Sequence, residues 1–123
     1  MSWKIEHHDT ERFIRVTAAG GISTPDAFAQ VAEGVELVLR HQLTGALVDY
    51  SAVNLEMPIA DISRIPDMFE AHGLPRMAKI AVVLPPDPAT MGKYTYFDDV
   101  ATSRGYRVGL FWEPTQALAW LRK

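Results

Sequence analysis

Apolar and polar residues alternate over Trp3 to His7 and again over Arg12 to Ala18, a period of two that predicts two strands. Trp3, Ile5 and His7 share one face of the first, and Phe13, Ile14 and Val16 carry the apolar positions of the second. The polar Asp9-Thr10-Glu11 between them predicts a tight antiparallel hairpin, ended by Gly20-Gly21.

From Ser23 onward the period lengthens. Thr24 is suited to cap a helix, Pro25 fits its first position, and Asp26 complements the positive end. Phe28, Val31, Ala32, Val35, Val38 and Leu39 then recur every three or four residues, one apolar stripe of about four turns. After Gly45 the segment Ala46 to Tyr50 predicts a strand, followed by a long loop through Asn54, Met57 and Pro58. Pro66 is tolerated only near a helix start, so the next helix is placed with its cap at Ser63, its body from Arg64 to about His72 and its stop at Gly73, with Ile65, Met68 and Phe69 inward. The nearly unbroken apolar run Ala78 to Leu84 predicts a central parallel strand covered on both faces. Pro85 to Pro88 ends it. Thr90 to Ser103 forms a helix closed by Gly105, Tyr106 to Trp112 a last strand, and Pro114 onward a final helix with Ala117, Leu118, Trp120 and Leu121 inward.

The order is β-β-α-β-α-β-α-β-α. It predicts an α/β fold with a mostly parallel five-stranded sheet opened by an antiparallel hairpin, in a single domain spanning residues 1–123. Composition narrows the class: 48% hydrophobic and 22% charged residues are those of a globular chain. The net charge of −3, with scattered Lys and Arg, offers no field for a phosphate backbone, so nucleic acid is not an expected partner. The absence of cysteine excludes disulfides, thiolate metal sites and thiol nucleophiles, and is compatible with the cytoplasm. No run of about 18 apolar residues predicts a membrane span, and no signal peptide is expected at the N-terminus.

In open parallel sheets ligands gather beyond the carboxyl ends of the strands, which directs the search for chemistry to Asp49, Tyr50 and Ser51. Asp49 is either a base or anion partner there or an acceptor for backbone N–H groups of the following loop. Ser51 lacks a Gly-x-Ser-x-Gly setting, so a serine hydrolase is not expected. His7 and His8 point to opposite faces, and His41 and His72 fall near helix C-termini, so no metal and no cofactor is expected. The segment Pro85 to Lys93 leads into a helix N-terminus, where free N–H groups and Lys93 suit an anion, although a phosphate-loop pattern is missing and a rigid turn is the favoured reading. Met57, Met68, Met91, Tyr94, Tyr96 and Phe97 are placed at the same sheet edge, either lining an apolar pocket or completing the core. Trp112 and Trp120 either pack together or form a patch for self-association as a homodimer.

The segment Leu47 to Val53 resembles the apolar strand and Asp-Leu-Ser-Gly-Val of the STAS domains, the anti-sigma-factor-antagonist fold, and of the SpoIIAA-like group that also takes in CRAL-TRIO lipid-binding domains. Val100 to Trp112 and Gln116 to Leu121 are similar to the tail and last helix of short bacterial STAS-like proteins, so the resemblance spans essentially the whole chain. One departure matters. Where phosphorylation-switched members carry an acceptor hydroxyl at the start of the next helix, this chain has Met57-Pro58-Ile59-Ala60, and Ser63 is the nearest hydroxyl downstream.

The resemblance and the lack of paired acid–base groups imply a non-enzymatic binding module of the bacterial cytosol. The expected partner is a protein, met by the surface of residues 50–62 and 85–97; the alternative is a small apolar ligand or lipid held beside Asp49, Tyr50, Ser51, Met57, Ser63, Met91, Lys93, Tyr94 and Phe97.

Overall fold

A computed structural model describes residues 2–123, in which a five-stranded sheet of order β1-β2-β3-β4-β5 is built from Ser2–His7 (β1), Phe13–Ile22 (β2), Gly45–Leu55 (β3), Lys79–Val83 (β4) and Arg107–Phe111 (β5). The first two pair antiparallel and the rest run parallel, so the predicted α/β class and opening hairpin are found. Leu47 pairs with Ala81 and Val48 with Val82 on same-direction neighbours, which brings the segments after β3 and β4 to one rim. The run Ala78 to Leu84 is buried throughout its apolar positions as expected, but the middle place belongs to β3.

One face of the sheet carries the main core, where Ile14, Val16, Ile80 and Val82 meet helices Thr24–Arg40 (α1), Arg64–His72 (α3) and Met91–Ser103 (α4). The opposite face is smaller: Phe13, Leu47, Ala81 and Val83 are covered by Pro114–Leu121 (α5). Alternation along each strand assigns the two sets.

Four boundaries differ from the pattern reading, each for a physical reason. β2 passes through Gly20-Gly21 to Ile22, with Gly20 at φ +82°, a conformation only glycine adopts without strain. β3 continues through Ser51 to Leu55, so Asp49 and Ser51 lie within a strand and not at the mouth of a loop. Its register against β2 slips between Thr17 and Ala19, leaving one extra β3 residue at Tyr50-Ser51. That bulge moves the inward positions from Ala46, Val48 and Tyr50 to Val53 and Leu55, and the strict alternation fails there. A short helix Ile59–Ile62 (α2) occupies part of the expected loop. It breaks from α3 at Ser63 because Pro66 has no N–H to offer the Ile62 carbonyl.

The start of α1 is capped by Ser23 rather than Thr24. Asp26 N–H donates to Ser23 Oγ at 3.4 Å while Ser23 N–H and Oγ–H donate to Asp26 Oδ2 at 3.1 and 2.8 Å, a reciprocal capping box. Thr24 instead donates to Asp61 Oδ2 at 2.8 Å, tying α1 to α2. Ser23→Ala is expected to cost about 1 kcal/mol, read as a lower urea midpoint at unchanged slope; an unmoved midpoint refutes the assignment. On α1, Leu39 is 44% exposed, and Ala27 and Gln30 take inward places that the predicted stripe omits.

Candidate functional site

Between the main sheet face and the helices lies a cavity of about 130 Å³. Its floor is Ile14 and Val16 of β2, Ala46, Val48 and Tyr50 of β3, and Ile80 and Val82 of β4; its roof comes from α1, α3 and α4. Such a volume is unusual in interiors that are packed to the density of organic crystals. Gly34 of α1 lets Ile14 pack close to the helix backbone at this wall, since a Cβ there would come within 3.2 Å of Ile14 Cδ1, and β3 runs on past the end of β4 along the floor.

The cavity wall is apolar except for Lys79, Lys93 and the side chains of Gln30, Tyr50 and Tyr94. Tyr50 Oη–H donates to Gln30 Oε1, a bond that spans β3 and α1 and fixes the amide. Gln30 Nε2 is then left with both N–H groups unpaired, and the Tyr94 hydroxyl of α4 has no partner among the described residues. Gln30 and Tyr94 are each only 4% exposed. Burial raises the Tyr94 phenol pKa above its ordinary range, with Tyr50 adding in the same direction; burial also raises that of Tyr50, followed by the charge of Asp26. Both phenols therefore stay neutral near pH 7 and act as hydrogen-bonding groups without charge. An unpaired buried polar group costs roughly 1–3 kcal/mol, so each of these two is a cost carried by the fold.

Of the residues singled out from the sequence, Tyr50, Met57, Lys93, Tyr94 and Phe97 line this cavity. The others lie elsewhere. Ser51 N–H and Oγ–H donate to Asp49 Oδ1 at 3.0 and 2.6 Å, so the pair is satisfied locally, in the manner of an Asx turn. Ser63 holds the position before α3, yet its hydroxyl donates to Ala60 O at 2.9 Å instead of capping. Met91 packs on the edge of the core. Lys93 turns inward and donates to Leu55 O at 2.9 Å, joining the two rim segments rather than facing an anion. The turn before α4 is closed by Asp87, which accepts from Ala89 N–H at 3.0 Å.

His7 stacks against His41 with ring centroids 4.6 Å apart, and among the described residues no group of three His, Asp or Glu side chains is placed to hold an ion. Trp120 packs on Phe111, with ring centroids 5.6 Å apart, and Trp112 is 50% exposed. No helix among the described residues is long and apolar enough to cross a membrane.

Gln30 escaped the pattern reading because polarity masks a core position. The signal was present: Ala27, Gln30, Gly34 and Val38 follow one another at three- and four-residue steps, a buried row in which a polar side chain sits between two small ones.

No protein-family model matches the chain, and no curated protein matches it significantly. Solved structures do. The anti-sigma factor antagonist SpoIIAA in its unphosphorylated form superposes with a TM-score of 0.62 at 9% identity, over 98% of both chains. An uncharacterized DUF3478-family protein of Shewanella loihica PV-4, described as having a SpoIIAA-like fold, gives 0.60 at 17% identity over 98% of this chain and 92% of that one. The phosphorylated form of the Bacillus cell fate determinant SpoIIAA gives 0.53 at 11% identity, over 98% of this chain and 100% of that one. With TM-scores above 0.5 over nearly the whole of both chains, the chain has the STAS/SpoIIAA-like fold.

Proposed function

We propose that this protein is a non-catalytic cytosolic binding module that holds a small, mostly apolar ligand in the cavity between the sheet and α1, α3 and α4. The observation that carries this reading is an apolar volume of about 130 Å³ left between the sheet and the helices. A nucleophile placed beside a base is not among the contacts there, which supports binding over catalysis. The volume also decides between ligand sizes: an engineered cavity of about 150 Å³ takes one benzene, and a membrane lipid is several times larger. A single small molecule fits; a lipid tail does not.

Toluene serves as a generic probe of the chamber. Titrated into the protein, it is expected to shift the methyl resonances of Val48, Ile80 and Val82 saturably while leaving Leu118, on the opposite face, unmoved. Unmoved lining methyls overturn the reading. Tyr94→Phe removes one unpaired hydroxyl at almost constant shape, and the ligand-free protein is expected to gain about 1 kcal/mol in urea unfolding. A loss of stability instead shows that the hydroxyl is already satisfied.

Engagement of a protein partner is the second reading, supported by the likeness to an anti-sigma factor antagonist and by the meeting of residues 50–62 and 85–97 at one rim. Asp49, Ser51, Ser63 and Met91, outside the cavity, belong to this surface in that reading. Its regulation differs from a phosphorylated antagonist's, because no hydroxyl side chain occurs from Val53 to Ile62. Ile59, 50% exposed on α2, is its apolar anchor.

A further inference from the structure

The two outer edges of the sheet are built differently. β1 carries Lys4 and Glu6, an exposed ion pair 3.4 Å apart, the kind of charge that keeps an edge strand from pairing. β5 ends the sheet on the other side with Val108, Gly109, Leu110 and Phe111, between Arg107 and, past Trp112, Glu113. No charge and no proline interrupts its middle. From this edge, independently of the chamber, we infer that β5 pairs antiparallel with β5 of a second copy of this chain across a two-fold axis at Leu110, joining two sheets into one.

The register follows from the backbone. Leu84 N–H donates to Phe111 O at 2.8 Å, so Phe111 and, by alternation, Gly109 and Arg107 direct their N–H and C=O groups to β4. Val108 and Leu110 direct theirs outward, with no strand beyond them among the described residues. Outward residues must meet outward residues, so the register can change only in steps of two. Centring on Leu110 sets Val108 against Trp112 of the second copy and Arg107 against its Glu113, at both ends of the ladder. One step to one side sets Arg107 against Phe111 and Glu113 against Gly105, leaving both charges without a mate. One step to the other sets Val108 against Pro114, which has no N–H to give.

The side chains at this edge match that register. Arg107, Trp112 and Glu113 are exposed, Trp112 at 50%, and neither charged group enters an ion pair among the described residues. Glu113 is still extended, at φ −122° and ψ 136°. Six positions apart along extended chain, roughly 20 Å, Arg107 and Glu113 cannot meet within one molecule. Pairing across the axis gives each its counter-ion and covers Trp112 with Val108. Because β1 is guarded by its own charges, assembly closes at two copies and does not grow into a filament.

Sedimentation equilibrium of the intact protein from about 5 to 500 μM is expected to show a monomer–dimer equilibrium with a Kd on the order of tens of micromolar, as suits a narrow contact. Arg107→Glu and Glu113→Arg each bring like charges together at both ends of the ladder, and each is expected to weaken dimerisation about tenfold. Both positions are exposed, and unchanged urea midpoints check that the variants fold. Mixed in equal amounts, the two variants are expected to form a heterodimer at about the parent affinity, since every end is then complementary; a dimer through another face gives no such recovery. Hydrogen exchange supplies a second readout: the Val108 and Leu110 amides should gain protection as concentration rises, while those of β1 do not. A monomer at every concentration, single variants that dimerise like the parent, a mixture that stays monomeric, or outward amides left unprotected in the dimer overturns the inference. None of these outcomes bears on the chamber, which the toluene titration tests separately.

Discussion

Phe69→Ala will lower the stability of the protein by about 4 kcal/mol, the middle of the range for removing a buried aromatic ring. Phe69 is 6% exposed, and its ring meets Phe97 and Tyr106 edge-on at centroid distances of 6.2 and 5.3 Å. It therefore joins α3 to α4 and to the segment entering β5, and its loss removes quadrupole-matched contacts as well as buried area. Because it also lines the cavity, the void it leaves merges with space already empty. The neighbours cannot close around it, and the penalty for the added cavity is felt in full. For a chain of this length the melting temperature should drop by roughly 15 °C. The same variant should accept larger rings than the parent. A drop of under about 1.5 kcal/mol would mean that the α3–α4 contact is looser than described; unchanged ligand size would detach Phe69 from the chamber.

A second substitution reaches the same core from the backbone. Gly45→Ala is expected to cost about 3 kcal/mol, read as a loss of urea stability. Gly45 starts β3 between Phe13 and Lys79, and a Cβ built there lies 2.4 Å from Lys79 O and 3.3 Å from Leu121 Cδ2. A methyl group cannot sit so close to a carbonyl oxygen, and the atom in the way is main chain that no rotamer change can move. The β3–β4 ladder must part at its first pair, with α5 displaced alongside. Gly92→Ala is the control, since nothing lies within 4 Å of a Cβ there and helix propensity favours alanine. A Gly45→Ala protein as stable as the parent would place β3 and β4 further apart than described.

The architecture was legible because its signals are local and redundant. Pro25, Gly73, Gly105 and Pro114 punctuate helices whose apolar stripes agree with them, and the unbroken run before Leu84 requires a covered parallel strand. What stayed hidden depends on contacts between distant residues. The bulge at Tyr50-Ser51 is set by pairing with Thr17 and Ala19, so a period-two reading stopped five residues early and put Asp49 at a strand end. Ser23 and Thr24 are both good caps in isolation; Asp61, across on α2, decides between them by taking the threonine hydroxyl. Ser63 was assigned to capping by position alone, but with α2 before it the nearest acceptor is Ala60 O. Tyr50, Met57, Tyr94 and Phe97 are expected at the sheet edge, lining a pocket or completing the core, and they meet at the cavity because β3 runs on past Tyr50 while α4 lies across the sheet face. Gln30 gives no apolar signal, yet it lines the same cavity.

Among the described residues the sheet is five strands wide at Val48, only β1–β3 continue past Asp49, and beyond Ala52 the ladder reduces to β2 and β3. Backbone pairing therefore thins along the length of the molecule, and the end bounded by Leu55, Met57 and Lys93 is held by the packing of Ile22, Val53, Met57 and Ile62 beside that two-stranded ladder. Under the ligand reading, a guest would need only that end to breathe. Its residence time is then expected to follow partial opening, on the order of microseconds to milliseconds, decoupled from the far slower global unfolding of the domain.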